Sequence, residues 1–119
     1  MGSGFAVDAH TLVTNRHVIE GTRQLQLETF EGRSVAVTTS STATVADLAV
    51  VRTEEELPQS LPLGPADPIE GQPVTVVGYP GGGARTITRG NVVGYAGDPL
   101  GGSTRVFVTT AQVQPGSSG

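Results

Sequence analysis

Residues 24–37 read Gln-Leu-Gln-Leu-Glu-Thr-Phe-Glu-Gly-Arg-Ser-Val-Ala-Val, and this stretch decides the fold class. Leu25, Leu27 and Thr29 share one face of an extended chain, and Gln24, Gln26 and Glu28 share the other. A repeat of two is that of a half-buried strand, whereas an amphipathic helix repeats every three to four residues. Glu31 and Gly32 then supply a turn, and Val35 and Val37 resume the alternation. The pattern predicts a β-hairpin with strands over 24–30 and 33–39.

Working outward, short apolar or alternating runs recur between clusters of Gly, Pro, Asp and Ser. They predict further strands over 4–7, 11–15, 48–52, 73–78, 84–95 (bent or split) and 104–111. The run Leu48-Ala49-Val50-Val51 is continuously apolar, as in a strand buried on both faces. One helical turn is expected around residues 17–20. Residues 58–68 carry four prolines and read as a connection between two halves, 1–58 and 61–119. Gly81-Gly82-Gly83 reads as a loop.

The chain has 119 residues, enough for one domain. Gly 17, Pro 8 and only 15% charged residues suit a turn-rich all-β protein. A net charge of -4 argues against nucleic acid, whose phosphates call for a basic face. With no cysteine there is no disulfide framework and no thiolate metal site. No run approaches the roughly 18 apolar residues of a membrane span, and no secretory leader is legible. The sequence GYPGGG at 78–83 fits neither dinucleotide-binding nor phosphate-loop patterns, and no lysine exists for the latter. An H-E-x-x-H zinc motif is absent.

Three residues lie in contexts that suit three different chemical tasks. His17 follows a predicted strand in Thr14-Asn15-Arg16-His17-Val18, just where the chain turns. A rigid strand end suits a general base, because small misplacements of a base are costly. Asp47 stands on the lip of the apolar 48–51 run. A carboxylate there is partly desolvated and needs a partner, for which a histidine N–H is suitable. Ser118 lies in Gly116-Ser117-Ser118-Gly119, after a predicted strand and Pro115. Flanking glycines let the backbone fold tightly, expose one hydroxyl and free N–H groups for a developing oxyanion. Taken singly, each has an ordinary structural explanation: a satisfied turn histidine, a turn aspartate, a flexible tail. Their order, His then Asp then Ser, differs from that of the α/β-hydrolases and of the subtilisins. His10, Asp8, Asp67 and Asp98 sit in plain turns and read as structural.

The text GSGF, TNRHV, ADLAVV, LPLGPADPIEGQPVTVVGYPGG, TITRGNVVG and TTAQVQPGSSG resembles the trypsin-like serine peptidases of the bacterial HtrA-type. The resemblance covers nearly the whole chain. It implies a chymotrypsin-like double antiparallel β-barrel, with the site in the crevice between barrels. It implies His17 as general base, Asp47 as its orienting partner and Ser118 as nucleophile. Backbone N–H groups of Gly116 and Ser118 would form the oxyanion hole, and Gln112 would lie at the base of the substrate pocket. The substrate would be a polypeptide, with no metal or organic cofactor, in an extracytoplasmic setting. Ser117 stands where animal trypsins carry an Asp, so a zymogen switch of that kind is not expected. The family pattern has a strand before GSGF and further strands after the serine. The barrels are therefore expected to be incomplete, with exposed strand edges and self-association in the isolated chain. A catalytically silent protease-like module that binds peptides, and an unrelated β-barrel binding domain, are the other two readings open at this level.

Overall fold

The computed structural model describes residues 2–20, 24–42, 46–97 and 105–113. Strands β1 (Phe5–Asp8) and β2 (Thr11–Thr14) form a hairpin, followed by the short helix α1 (Arg16–Glu20). Next come β3 (Leu27–Glu28), β4 (Ser34–Val35), β5 (Val37–Thr42) and β6 (Ala49–Thr53). The second half carries β7 (Pro73–Gly78), a 3-10 turn at Pro80–Gly82, β8 (Thr86–Gly97) and β9 (Arg105–Thr109). The sheets are β1-β2-β6-β5, β3-β4 and β7-β8-β9, and every pairing is antiparallel. The protein is all-β, and none of these sheets closes on itself among the described residues.

The predicted hairpin forms, but its ladder is short. Leu27 pairs with Val35 and Glu28 with Ser34. Gly32 N–H closes the turn onto the Thr29 carbonyl at 2.9 Å. Beyond this ladder, Gln24, Leu25 and Gln26 leave the sheet, while the second strand breaks at Ala36 and continues as β5 against β6. The pair expected over 24–30 and 33–39 is thus divided between two sheets. The helical turn appears where expected. The 84–95 strand is one continuous twelve-residue element, β8, with a register shift between Val92 and Gly94 where it meets β9.

Strand β6 corrects one expectation. Ala49, Val51 and Thr53 are buried, but Val50 is 38% and Leu48 48% exposed. An antiparallel strand between two partners keeps one face in solvent, and here the apolar run did not mark two-sided burial. Among the described residues the buried apolar side chains are Val35, Ala49, Val51 and Val92. Thr11, Thr14 and Thr53 are buried with them, and the Thr53 hydroxyl donates to the Glu55 carbonyl at 2.8 Å.

The chain after β6 doubles back along β1. Leu57 N–H reaches the Ala9 carbonyl at 2.7 Å, and Leu61 N–H reaches that of Ala6 at 2.8 Å. The proline-rich connection then ties to β8: Gly71 N–H to the Val92 carbonyl at 2.8 Å, and Val92 N–H to that of Gln72 at 2.9 Å. The Tyr95 hydroxyl donates to the Pro68 carbonyl. Arg85 lies 5.8 Å from the Phe30 ring centre and so bridges the two halves. Among the described residues no helix is long and apolar enough to cross a membrane.

Candidate active site

The β1-β2 hairpin sets the position of His17. A side chain at Gly4 would put its Cβ 2.7 Å from Leu12 Cδ2 and 2.8 Å from the Val13 carbonyl oxygen. Only glycine lets the chain pass so close. The Thr14 hydroxyl donates to the Ser3 carbonyl at 2.7 Å and fastens the other end of the crossing. Strand β2 is thereby held just before the chain turns into α1. His17 is the second residue of that helix.

Asp47 arrives through a different register. Strand β2 pairs with β6, and Thr14 lies opposite Ala49. The residues just after β2 must therefore lie beside those just before β6. His17 Nδ1 and Asp47 Oδ2 are 2.6 Å apart. The His17 backbone N–H donates to Asp47 Oδ1 at 2.9 Å, and Asn15 Nδ2 donates to the Asp47 carbonyl, also at 2.9 Å. The Asp47 side chain is 22% exposed and that of His17 is 56% exposed.

Burial of Asp47 opposes its charged form. The His17 backbone N–H, the His17 ring, and the charges of His17 and Arg16 outweigh it, and the carboxyl titrates below its ordinary value. A carboxylate can only accept, so Nδ1 carries the proton and Nε2 is the ring nitrogen with a free lone pair. That tautomer is the one a general base needs.

Gln112 follows β9 and is exposed. Its main-chain carbonyl accepts from the Thr88 hydroxyl at 2.8 Å. The segment leading to it crosses β8 at Gly90, where a Cβ would stand 2.7 Å from Thr110 Oγ1 and 2.8 Å from Ala111 Cα. Thr110 and Asn91 fix the crossing, with Thr110 N–H to the Asn91 carbonyl at 3.0 Å and Asn91 N–H to Thr110 Oγ1 at 2.9 Å. Ser118 and Gly116 lie outside the described residues. Of the residues singled out in the sequence, the structure brings together His17 and Asp47. His10 sits in its turn, its N–H on Asp8 Oδ1 at 2.9 Å.

Two participants escaped the reading of the sequence. Gly90 carried no local signal, because its need for glycine comes from a segment some twenty residues later. Asn15 carried a misleading one: an Asn just ahead of a helix predicts a cap for its own helix, and its side chain serves Asp47 instead.

The family model described as a trypsin-like peptidase domain matches residues 2–119. The mitochondrial serine protease HTRA2 of Bos taurus is 40% identical over 95 residues, covering 76% of this chain and 20% of that protein. The putative serine protease HhoA of Synechocystis is 34% identical over 131 residues, covering 99% of this chain and 32% of that protein. Among solved structures, an inactive form of the Rv3671c protease of M. tuberculosis superposes with a TM-score of 0.83 at 26% identity. That match covers 99% of this chain and 64% of that one. The chain spans a fifth to a third of the length of these two curated relatives.

Proposed function

Because the chain belongs to the trypsin-like peptidase domain family, with HtrA-type serine proteases as homologues, we propose that it carries the triad of a serine endopeptidase. His17, Asp47 and Ser118 are its members. The observation that carries the reading is the 2.6 Å contact of His17 Nδ1 with Asp47 Oδ2, braced by the His17 backbone N–H.

The chemistry follows from that contact. Ser118 Oγ attacks the scissile carbonyl carbon while its proton passes to His17 Nε2. The Asp47 carboxylate stays ionised and stabilises the imidazolium. N–H groups of Gly116 and Ser118 receive the negative charge that develops on the carbonyl oxygen. The imidazolium then protonates the leaving amine, the C–N bond breaks, and an acyl-enzyme remains. Water attacks the ester, gives its proton to His17, and the acid product leaves with Ser118 restored. No cofactor is consumed.

We assign residues 1–58 to a first barrel bearing His17 and Asp47, and residues 61–119 to a second bearing Ser118. Gln112 contributes to the pocket for the substrate side chain and, being uncharged, gives no attraction for a basic one. An extracytoplasmic setting rests on the resemblance to HtrA-type proteases.

The test is fluorophosphonate labelling of the intact protein, read by mass, with Ser118→Ala and His17→Ala beside the wild type. A single adduct that is absent from both variants supports the triad. A folded wild-type protein that takes no label points instead to a module that binds peptides without cleaving them.

A further inference from the structure

An Asn immediately ahead of a helix ordinarily caps it, its side-chain oxygen accepting a free N–H at the second or third helical position. Asn15 holds that place before α1, yet its side chain faces another duty. Nδ2 donates to the main-chain carbonyl of Asp47 at 2.9 Å. The N–H that Asn15 would have capped, that of His17, is taken by Asp47 Oδ1 at the same distance. The two residues have exchanged roles: Asp47 caps the helix that Asn15 opens, and Asn15 holds the backbone of Asp47. The turn itself is intact, since Val18 N–H still reaches the Asn15 carbonyl at 3.2 Å.

This exchange settles where the carboxylate points. With Oδ1 held by the His17 N–H, Oδ2 is left facing Nδ1. Were the helix capped by Asn15, Oδ1 would lose its donor. The Oδ2 contact with Nδ1 would then be left alone to fix the rotation of a side chain that is 22% exposed. We infer that Asn15 is a positioning residue for the His17–Asp47 pair, because its outward-turned amide leaves the cap of α1 to the Asp47 carboxylate. The kinetic consequence rests on the serine-protease reading; the consequence for the His17 ring does not.

Asn15→Ser isolates the effect from folding. Serine is as good a cap as asparagine, but it is too short to reach the Asp47 carbonyl, so it restores self-capping and preserves the helix. Asn15→Ala removes both options and shows what loss of the tie alone does. Three quantities are read on the intact protein: melting temperature, the rate of fluorophosphonate labelling at Ser118, and the long-range proton–nitrogen spectrum of the imidazoles, with His17→Ala assigning the signals. In the wild type Nδ1 of His17 is expected to appear protonated and Nε2 bare.

Asn15→Ser is expected to melt within about 2 °C of wild type, and to label roughly 10–50-fold more slowly. The His17 signals should move toward a mixture of both tautomers. An unchanged tautomer overturns the inference, whatever the rate does, since a slower rate with the ring unmoved would be a structural effect. An unchanged rate in a protein whose wild type labels also overturns it. A wild type that takes no label would sink the protease reading, and the imidazole spectrum would then decide this inference alone.

Discussion

Gly90→Ala tests the architecture that delivers the chain to Ser118. The new Cβ would stand 2.8 Å from Ala111 Cα, 2.7 Å from Thr110 Oγ1 and closer still to Ala111 N, against an ordinary contact of 3.4–4 Å. Backbone cannot rotate out of the way as a long side chain can, so residues 110–112 must retreat by about 0.5–1 Å. Overfilling of this kind costs roughly 1–3 kcal/mol. The Asn91–Thr110 hydrogen bonds lie on the same segment, and losing one adds about 1 kcal/mol. For a chain of 119 residues each kcal/mol is worth about 3–5 °C, so a drop of roughly 6–20 °C in melting temperature is expected. Gly94→Ala is the control on the same strand, where a Cβ meets nothing within 4 Å. It should be neutral, or stabilising by about 0.4–1 kcal/mol through the reduced entropy of the unfolded chain. The assay is thermal unfolding by circular dichroism, paired with the fluorophosphonate labelling rate. That rate should fall about 10–100-fold in Gly90→Ala, because the displaced segment precedes the proposed nucleophile in the chain. The reasoning is refuted if Gly90→Ala melts within about 2 °C of wild type, or if Gly94→Ala loses as much.

Asp47→Asn replaces an acceptor-only group with one that can donate to Nδ1. The His17 ring should switch to the tautomer protonated at Nε2, and labelling at Ser118 should slow by about 10⁴-fold. A ring spectrum identical to wild type would contradict the assignment. The same variant tests acid stability. The Asp47 carboxyl titrates below 3.8 in the folded chain, so the unfolded state binds the extra proton first as pH falls. The stabilisation it gives is fully present above the unfolded value and is lost on acidification through the folded one. Between about pH 5 and pH 2.5 the wild type should therefore lose melting temperature more steeply than Asp47→Asn; parallel curves would exclude Asp47 as a contributor. Finally, β9 stands at a sheet edge among the described residues, with Val106 37%, Phe107 44% and Val108 44% exposed. Such an edge invites pairing. Sedimentation of these 119 residues should show concentration-dependent association that Phe107→Lys suppresses; a monomer at all concentrations would argue otherwise.

The sequence by itself determined the elements and the chemical types. Alternation and turn residues are local properties, so the hairpin around Glu31-Gly32, the strands of both halves and the helical turn at His17 were legible from a few neighbours at a time. Tertiary structure decided which of those residues meet. His17 and Asp47 are thirty residues apart and touch because the β2–β6 register sets Thr14 opposite Ala49. The same non-local pairing decided that Leu48 and Val50 face solvent, although their run is as apolar as a buried strand. It also turned Asn15 from capping its own helix to holding Asp47, and gave Gly90 a crossing segment that no neighbour announces. Local sequence fixes what a backbone prefers over a few residues; closure of a sheet across tens of residues fixes its partners, and the site is made of partners.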